Sequence, residues 1–377
     1  MAEKSKRGTR FLSVITLLVV VFYVLSLAGW YFDASQFWIG AVFSISFAYL
    51  WPALILVTCC WFIFKKSIGV LLLGFLLAGI PPAKATFSIG PEKKFSVQKT
   101  PPALRVMQWN AMDMPISGLW SSKIKEDRKM VKSFLETYKP DVICIQDFNE
   151  IEGLQFLSNI GFLRDSMGLS YIYPFYRAYS IYPYGKVKMG MVIASRYPFI
   201  QTGFVGYDAP EYANPILWAD IWWQGKPLRI VTTHFQSMNL FSHRHFNPHT
   251  LPYYFRPDSA IIMSPDVLMK LRHYQRIHGQ QAKRLAAFID TASLPIILSA
   301  DLNTVPANHV VRMVKRHRLS DGFLGSKTGL GNTFNYLLPN LRVDYLLHDK
   351  PLKAIQWKHF QEGFFDHDHL IGDFSWR

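Results

Sequence analysis

The apolar positions of the chain follow two different patterns along its length. Up to position 83 they form long unbroken runs. Residues 11–30 (FLSVITLLVVVFYVLSLAGW) carry no charge and are long enough to cross a bilayer as a helix. Residues 39–64 form a second uncharged run, in which Pro52 kinks a helix without ending it. Residues 67–83 form a third. Its strictly apolar part stops at Ile80, so a re-entrant or interfacial segment competes with a full span. Residues 84–103 are polar, basic and contain Pro, the composition of a linker that lifts the next domain off the bilayer, with its lysines against anionic headgroups.

Beyond this point the apolar runs shorten to strand length. Arg105–Trp109 alternates and predicts a strand ending at Asn110. Ile124, Met130, Val131, Phe134 and Leu135 share one face of a helix over 121–138. Val142–Ile145, Met189–Ala194, Leu228–Thr233 and Pro295–Ser299 read as buried strands. Ala219–Trp223 joins Leu228–Thr233 through a Gln224-Gly225-Lys226 turn. Gln280–Ile289 is helical, and Val343–Leu347 and Leu370–Phe374 close the series. Strands alternating with helices, with hairpins between, predict an α/β layered domain with mixed sheets. The expected organisation is an anchor over 1–83, a linker over 84–103 and one domain over 104–377.

Charge adds an orientation. Lys4, Lys6, Arg7 and Arg10 precede the first run, the segment Tyr31–Trp38 has no Lys or Arg, and Lys65 and Lys66 follow the second. The positive-inside rule then puts the N-terminus and the Lys65–Lys66 turn in the cytoplasm. Three spans place the large domain outside the cytoplasm, and two place it inside. The expected location is a multi-pass membrane protein of a bacterial inner membrane, with the domain extracytoplasmic. A cleaved signal peptide fits poorly, because the first run is long and two more follow. No Asp, Glu, Lys or Arg lies inside the three runs, which offers no ion path and argues against a channel or transporter.

The net charge is +15, and residues 1–84, with seven Lys/Arg and two Asp/Glu, account for only +5 of it. The basic remainder favours anionic partners such as nucleic acid, phospholipid surfaces or phosphorylated small molecules, although such a charge also serves solubility alone. No obligate protein partner is implied. Cys59, Cys60 and Cys144 do not form a disulfide framework.

Six places pair an apolar run with a polar group suited to phosphoryl chemistry. They are Asn110, Asp147, His234, Asp301-Leu302-Asn303, Arg342-Val343-Asp344-Tyr345 and Asp366-His367. Each alone reads as a turn or cap. Six at strand ends in one domain point further. A hard cation such as Mg²⁺ takes carboxylate and amide oxygens, and a His oriented by a carboxylate can hold an attacking water. His243, His245 and His249 lie in 238–262, a segment rich in turn formers without a completing acid or Cys. It reads as a substrate- or membrane-facing loop before a zinc site.

The segments RVMQWNAMD, PDVICIQDFNE, GMVIASRYPF, LRIVTTHFQS, PIILSADLNTVP, SDGF with NTFNY, RVDYLL and FDHDHLIGDF, in that order, resemble the endonuclease/exonuclease/phosphatase superfamily. Anchor and domain together resemble its bacterial membrane members. The resemblance implies a four-layer α/β sandwich, two packed mixed β-sheets flanked by helices, behind N-terminal transmembrane helices. It implies Asn110, Asp147 and Asp366 at a Mg²⁺ or Mn²⁺ ion. Asp301 would orient or deprotonate the attacking water, and Asn303 and His234 would contact the phosphate. His367 would be the catalytic His, paired with Asp344. His367 is preferred over His369 by its spacing to Asp373-Phe374. Two positions depart from the family. Asp147 stands where Glu is usual, which makes Glu150 an alternative metal ligand if the intervening turn is helical, and Phe365 replaces a common Ser.

The expected function is a divalent-metal-dependent phosphoester hydrolase of the phosphodiesterase or nuclease type. One alternative is a phospholipid or inositol-phosphate headgroup hydrolase at the membrane surface. Another, of a different class, is a catalytically weak metal- or nucleic-acid-binding membrane module.

Overall fold

The uncharged N-terminal runs fold as helices, the arrangement that satisfies every backbone polar group without water. In the computed structural model they form α1 (Ala2–Tyr31), α2 (Trp38–Phe43), a 3₁₀ turn at Ser44–Ser46, α3 (Phe47–Phe64), α4 (Lys66–Ala78) and α5 (Ile80–Thr86). The structure describes residues 2–91, 94–100, 102–111, 123–154, 157–182, 185–208, 213–238, 267–334, 341–360 and 367–377. Gly8–Tyr31 and Trp38–Phe64 are long and apolar enough to cross a membrane. The third run is broken: α4 and α5 meet at an angle of 54°. Pro81 and Pro82, at the start of α5, cannot donate backbone hydrogen bonds to a continuing α4. Gly79 lies at the bend, where a Cβ would fall 1.9 Å from the Tyr23 hydroxyl.

Hydrogen bonds fix how the helices pass one another. Trp61 Nε1 donates to Thr16 Oγ1 (2.7 Å), Tyr23 OH to the Phe75 carbonyl (3.0 Å) and Tyr31 OH to the Ala78 carbonyl (2.9 Å). The end of α3 thus lies beside Thr16, and α4 brings the chain back to the level of Tyr31. The segment after α5 does not hang free as a linker. Ser88 bridges to Gly329, the Ser96 amide donates to Gln356 Oε1 (2.9 Å), and Lys99 Nζ meets Asp141 Oδ1 at 2.6 Å.

The rest of the chain builds two six-stranded sheets. The first has the order β11-β12-β1-β2-β4-β3, from β1 (Leu104–Asn110), β2 (Val142–Glu152), β3 (Tyr171–Tyr182), β4 (Gly185–Ser195), β11 (Leu352–Phe360) and β12 (His369–Trp376). The second has the order β5-β6-β7-β8-β10-β9, from β5 (Phe199–Val205), β6 (Ile216–Trp223), β7 (Lys226–His234), β8 (Ile296–Asp301), β9 (Leu319–Asp321) and β10 (Asp344–Asp349). Only β1/β2 and β7/β8 pair in parallel, so both sheets are mixed.

Alternating apolar residues give each sheet a face toward the other. Val106, Val142, Cys144 and Ile193 meet Leu217, Ala219, Ile230 and Leu346 between the sheets. On one outer face α6 (Lys123–Tyr138) packs Val131 and Leu135 against Met107, Trp109 and Ile143. On the other, α7 (Val267–Thr291) and α8 (His309–Lys315) pack Leu285, Ile289, Val310 and Val314 against Val231, Leu298 and Ala300. The result is the expected four-layer sandwich. The sequence pattern did not predict β3, β5, β9, β11 or α8. β3 and β5 are edge strands with exposed apolar residues such as Ile181 and Phe204, and β3 contains Pro174, which an edge tolerates.

The topology creates one special end. The parallel strands β1, β2, β7 and β8 finish there, and the antiparallel β10 and β12 begin there. Residue pairing puts His234, Asp301 and Asp344 side by side across β7, β8 and β10.

Candidate active site

Asp301 closes β8 with its side chain fully buried. Four groups converge on its carboxylate. Asn110 Nδ2 donates to Oδ2 (2.9 Å), and the Asn303 amide donates to Oδ1 (2.9 Å). His234 Nε2 stands 3.5 Å and His367 Nε2 3.8 Å from the same Oδ2. Each imidazole turns its other nitrogen to a second acid. His367 Nδ1 donates to Asp344 Oδ2 (2.8 Å), and His234 Nδ1 lies 3.3 Å from Asp147 Oδ1. The site is therefore two carboxylate–imidazole arms aimed at one central carboxylate.

The arms are held from behind. Asp344 Oδ1 accepts from Gln108 Nε2 (2.8 Å), and its backbone amide donates to Thr333 Oγ1 (3.1 Å). With its Nδ1–H donated to Asp344, His367 turns Nε2 toward Asp301, where an imidazole nitrogen can exchange a proton. Gln146 Nε2 donates to Thr232 Oγ1 (2.8 Å), and Gln108 Nε2 also reaches Gln146 Oε1 (3.1 Å). These amides cross from one sheet to the other, so each arm's position is set by both.

Electrostatics follow from this crowding. Burial raises the Asp301 carboxyl above its ordinary range and the charge of Asp344 adds to it, while His367 and His234 pull the other way. Burial also works against an ionised Asp147, but His234, Arg177 and His367 outweigh it and hold this carboxyl below the ordinary range. Burial opposes protonation of His234, yet Asp147 and Asp301 together raise it.

Two site residues have left-handed backbone. Asp147 has φ +47° at a β-bulge in β2, and Asn303 has φ +48° just past β8. Asn tolerates this region well, and its side chain here donates to the Phe235 carbonyl (3.0 Å). For Asp147 the bulge turns the side chain toward His234.

Asn110, Asp147, His234, Asp301, Asn303, Asp344 and His367 thus come together at one end of the sandwich. Glu150 does not join them. Its stretch is strand rather than helical turn, and its carboxylate accepts from Ser158 Oγ (2.6 Å) and the amides of Asn159 (2.9 Å) and Ile160 (2.8 Å). It caps a helical turn and is spent as a ligand. His369 is buried on the other face of β12, stacked on Trp109 at 4.7 Å and pushed down to about 3 by burial, so of these two histidines it is His367 that faces Asp301. Asp366, His243, His245 and His249 lie outside the described residues.

Sequence reading missed Gln108, Gln146, Asn214 and Arg177. Gln108 sits two positions before Asn110 and so shares its face of β1, a signal the strand pattern contained. Asn214 Nδ2 contacts His234 Nδ1 (3.2 Å), and Arg177 Nη2 lies 3.7 Å from Asp147 Oδ1. Neither adjoins a predicted strand end.

The donor set suits a divalent cation. Ligand atoms of Asp301, Asp344 and His367 lie within 4.8 Å of one another, and Asp147 and Asn110 add oxygen donors nearby. The buried Asp301 is raised partly by Asp344, a crowding of negative charge that a cation would relieve.

Residues 9–86 match a family model described only as a domain of unknown function. No curated protein matches the chain. Among solved structures, the endonuclease/exonuclease/phosphatase family protein from Leptotrichia buccalis C-1013-b is similar at 14% identity, covering 73% of this chain and 100% of that one with a TM-score of 0.50. The human Nocturnin catalytic domain with bound sulfate anion (16% identity, 73% and 94% covered, TM-score 0.48) and D. rerio TDP2 complexed with single strand DNA product (14% identity, 73% and 99% covered, TM-score 0.48) are also similar. At these identities the likeness is one of fold. The sequence match reaches further: a model of the endonuclease/exonuclease/phosphatase family aligns with residues 116–363, well over half of the chain, and to that family the protein belongs.

Proposed function

We propose that the protein is a divalent-metal-dependent hydrolase of phosphoester bonds, of the phosphodiesterase or nuclease type, anchored in a membrane. One observation carries this reading: two acid-backed imidazoles converge on the buried carboxylate of Asp301. Asp344 is already engaged by His367 and Gln108, which leaves Asp147, Asp301 and the Asn110 amide, together with Asp366, as the groups to hold Mg²⁺ or Mn²⁺. When bound, such an ion neutralises charge on the phosphoryl and leaving oxygens. Asp301, with its raised proton affinity, orients and deprotonates the attacking water. His367, held by Asp344, exchanges a proton through Nε2. His234 and Asn303 contact the phosphate.

The two long apolar helices, with the bent α4–α5 pair taken as a third pass, and the basic residues flanking them support a multi-pass anchor with the domain outside the cytoplasm. A second reading, hydrolysis of phospholipid headgroups at the membrane surface, draws support from how the domain is held. Asn308 Nδ2 donates to the Ala41 carbonyl (3.1 Å) and Arg312 Nη2 to the Tyr31 carbonyl (3.1 Å), which keeps the domain at the ends of the anchor helices.

The test uses the full chain in detergent with Mg²⁺ or Mn²⁺ against DNA, RNA, sphingomyelin and inositol phosphates. Hydrolysis of one of these is expected, with loss on chelation and in Asp301→Ala and His367→Ala. Normal turnover in either folded variant would overturn the reading.

A further inference from the structure

Two β-bulges face each other across β4. β2 gains a residue between Ile145 and Phe148, and β3 gains one, Arg177, between Tyr176 and Ala178. Both register shifts occur beside Gly190 of β4. A Cβ on Gly190 would meet the Phe175 carbonyl oxygen at 1.8 Å, so only glycine lets the bulged β3 pass this closely. Bulges re-aim side chains, and these two turn Asp147 and Arg177 toward the same point, 3.7 Å apart. With the half-buried Asn303, they are also the more open members of the site. Their side chains are 25% and 21% exposed, against 0% for Asp301 and Asp344.

The separation is longer than a bidentate carboxylate–guanidinium fork. A guanidinium carries five donors in a plane that matches phosphate oxygens, and this one stands at the mouth of a site proposed to bind phosphate. It also repels any cation shared with Asp147, a disadvantage unless the guanidinium takes part in the loaded state.

We propose that Arg177 is a substrate-binding residue, which grips the non-bridging oxygens of the phosphoryl group from the open side while His234 and Asn303 contact it within the site. The inference rests on reading the site as a phosphoester hydrolase and assigns one binding contact within it.

The alternative is that Arg177 only neutralises Asp147. The two roles separate at saturating Mg²⁺. Calorimetry with inorganic phosphate on the full chain in detergent should show affinity at least about tenfold weaker in Arg177→Ala, and Arg177→Lys should recover part of it. For bis(p-nitrophenyl) phosphate, KM should rise by a similar factor with the pH profile of kcat unchanged, and added guanidinium should partly restore Arg177→Ala. Arg177→Gln serves if the alanine variant misfolds. Equal phosphate affinity in folded wild type and variant at saturating Mg²⁺ would overturn the proposal, even if the Mg²⁺ requirement changed. A wild type that binds phosphate but turns over nothing would count against the hydrolase reading and leave this contact standing.

Discussion

His369 should make the fold acid-sensitive, and the size of the effect can be worked out. The imidazole is buried between β12 and α6, stacked on Trp109 and edge-on to Phe134 at 5.2 Å. Burial pushes its pKa from 6.5 down to about 3, although the charge of Asp344 opposes this. The unfolded chain therefore takes up this proton before the folded one. The stabilising contribution is complete above pH 6.5 and is lost as the pH falls toward 3. Acidification to about pH 5 crosses roughly 1.5 pH units of that window at about 1.4 kcal/mol each, a loss of about 2 kcal/mol. His278, pushed down to about 4 by burial, acts in the same direction, whereas the raised His234 acts in the opposite one. The clean quantity is thus a difference between proteins. His369→Phe keeps an aromatic ring in the stack and removes the titration. Thermal unfolding of the two full chains, followed by tryptophan fluorescence between about pH 8 and pH 5, should show wild type losing roughly 2–4 °C more than the variant. Parallel Tm curves would show that His369 does not titrate with a depressed pKa.

Two further outcomes test other parts of the site. Asp344→Asn replaces an acceptor with a group that can donate to His367 Nδ1, which fixes the wrong tautomer; kcat should fall by about two to four powers of ten with KM little changed, as steady-state kinetics would show. Glu150→Gln weakens a cap of three hydrogen bonds and should cost about 1–2 kcal/mol in denaturant unfolding. Its Mg²⁺ dependence of activity should match wild type, and a changed Mg²⁺ requirement would restore Glu150 as a ligand.

Where a chemical group ended an apolar run, it was legible. Asn110 and Asp301 each close a strand that is buried throughout, His234 closes one buried from Ile230 onward, and such runs stand out in a sequence. Asp344 opens one, and its partner His367 lies two residues ahead of another. What escaped depends on irregularity or on edges. Arg177 reaches the site only because β3 carries an extra residue, and no periodic pattern encodes a bulge. Glu150 was expected to be near the metal if the chain turned helically after Asp147. Instead β2 resumes pairing at Phe148 and runs to Glu152, which sends Glu150 to the Asn159 turn. The 84–103 segment reads as a linker because its composition is polar and basic. Its backbone and Lys99 find partners on Gly329, Gln356 and Asp141, which composition cannot reveal.

The contacts of the loop after Asn303 argue that anchor and domain form one folded unit. The Thr304 carbonyl accepts from the Tyr345 hydroxyl (2.8 Å), one residue past Asp344, so the loop leaves the site under restraint. Three residues on, Ala307 joins the apolar cluster of the helical bundle that contains Phe47. Asn308 then does two things at once: its Oδ1 accepts from the Val310 amide to cap α8, and its Nδ2 donates to the Ala41 carbonyl and Ser44 Oγ. On the anchor side, Ala34 and Ala41 belong to the same apolar cluster as α7 and the outer face of β8, and a Cβ on Gly279 of α7 would fall 2.7 Å from the Ser35 amide nitrogen. Taking the anchor away would leave the Asn308 amide without these acceptors and expose part of the core that backs Asp301. A membrane helix that served only as a tether would need none of these contacts. Their position, a few residues from the end of β8, makes the N-terminal helices part of what holds Asp301 and Asn303 in place.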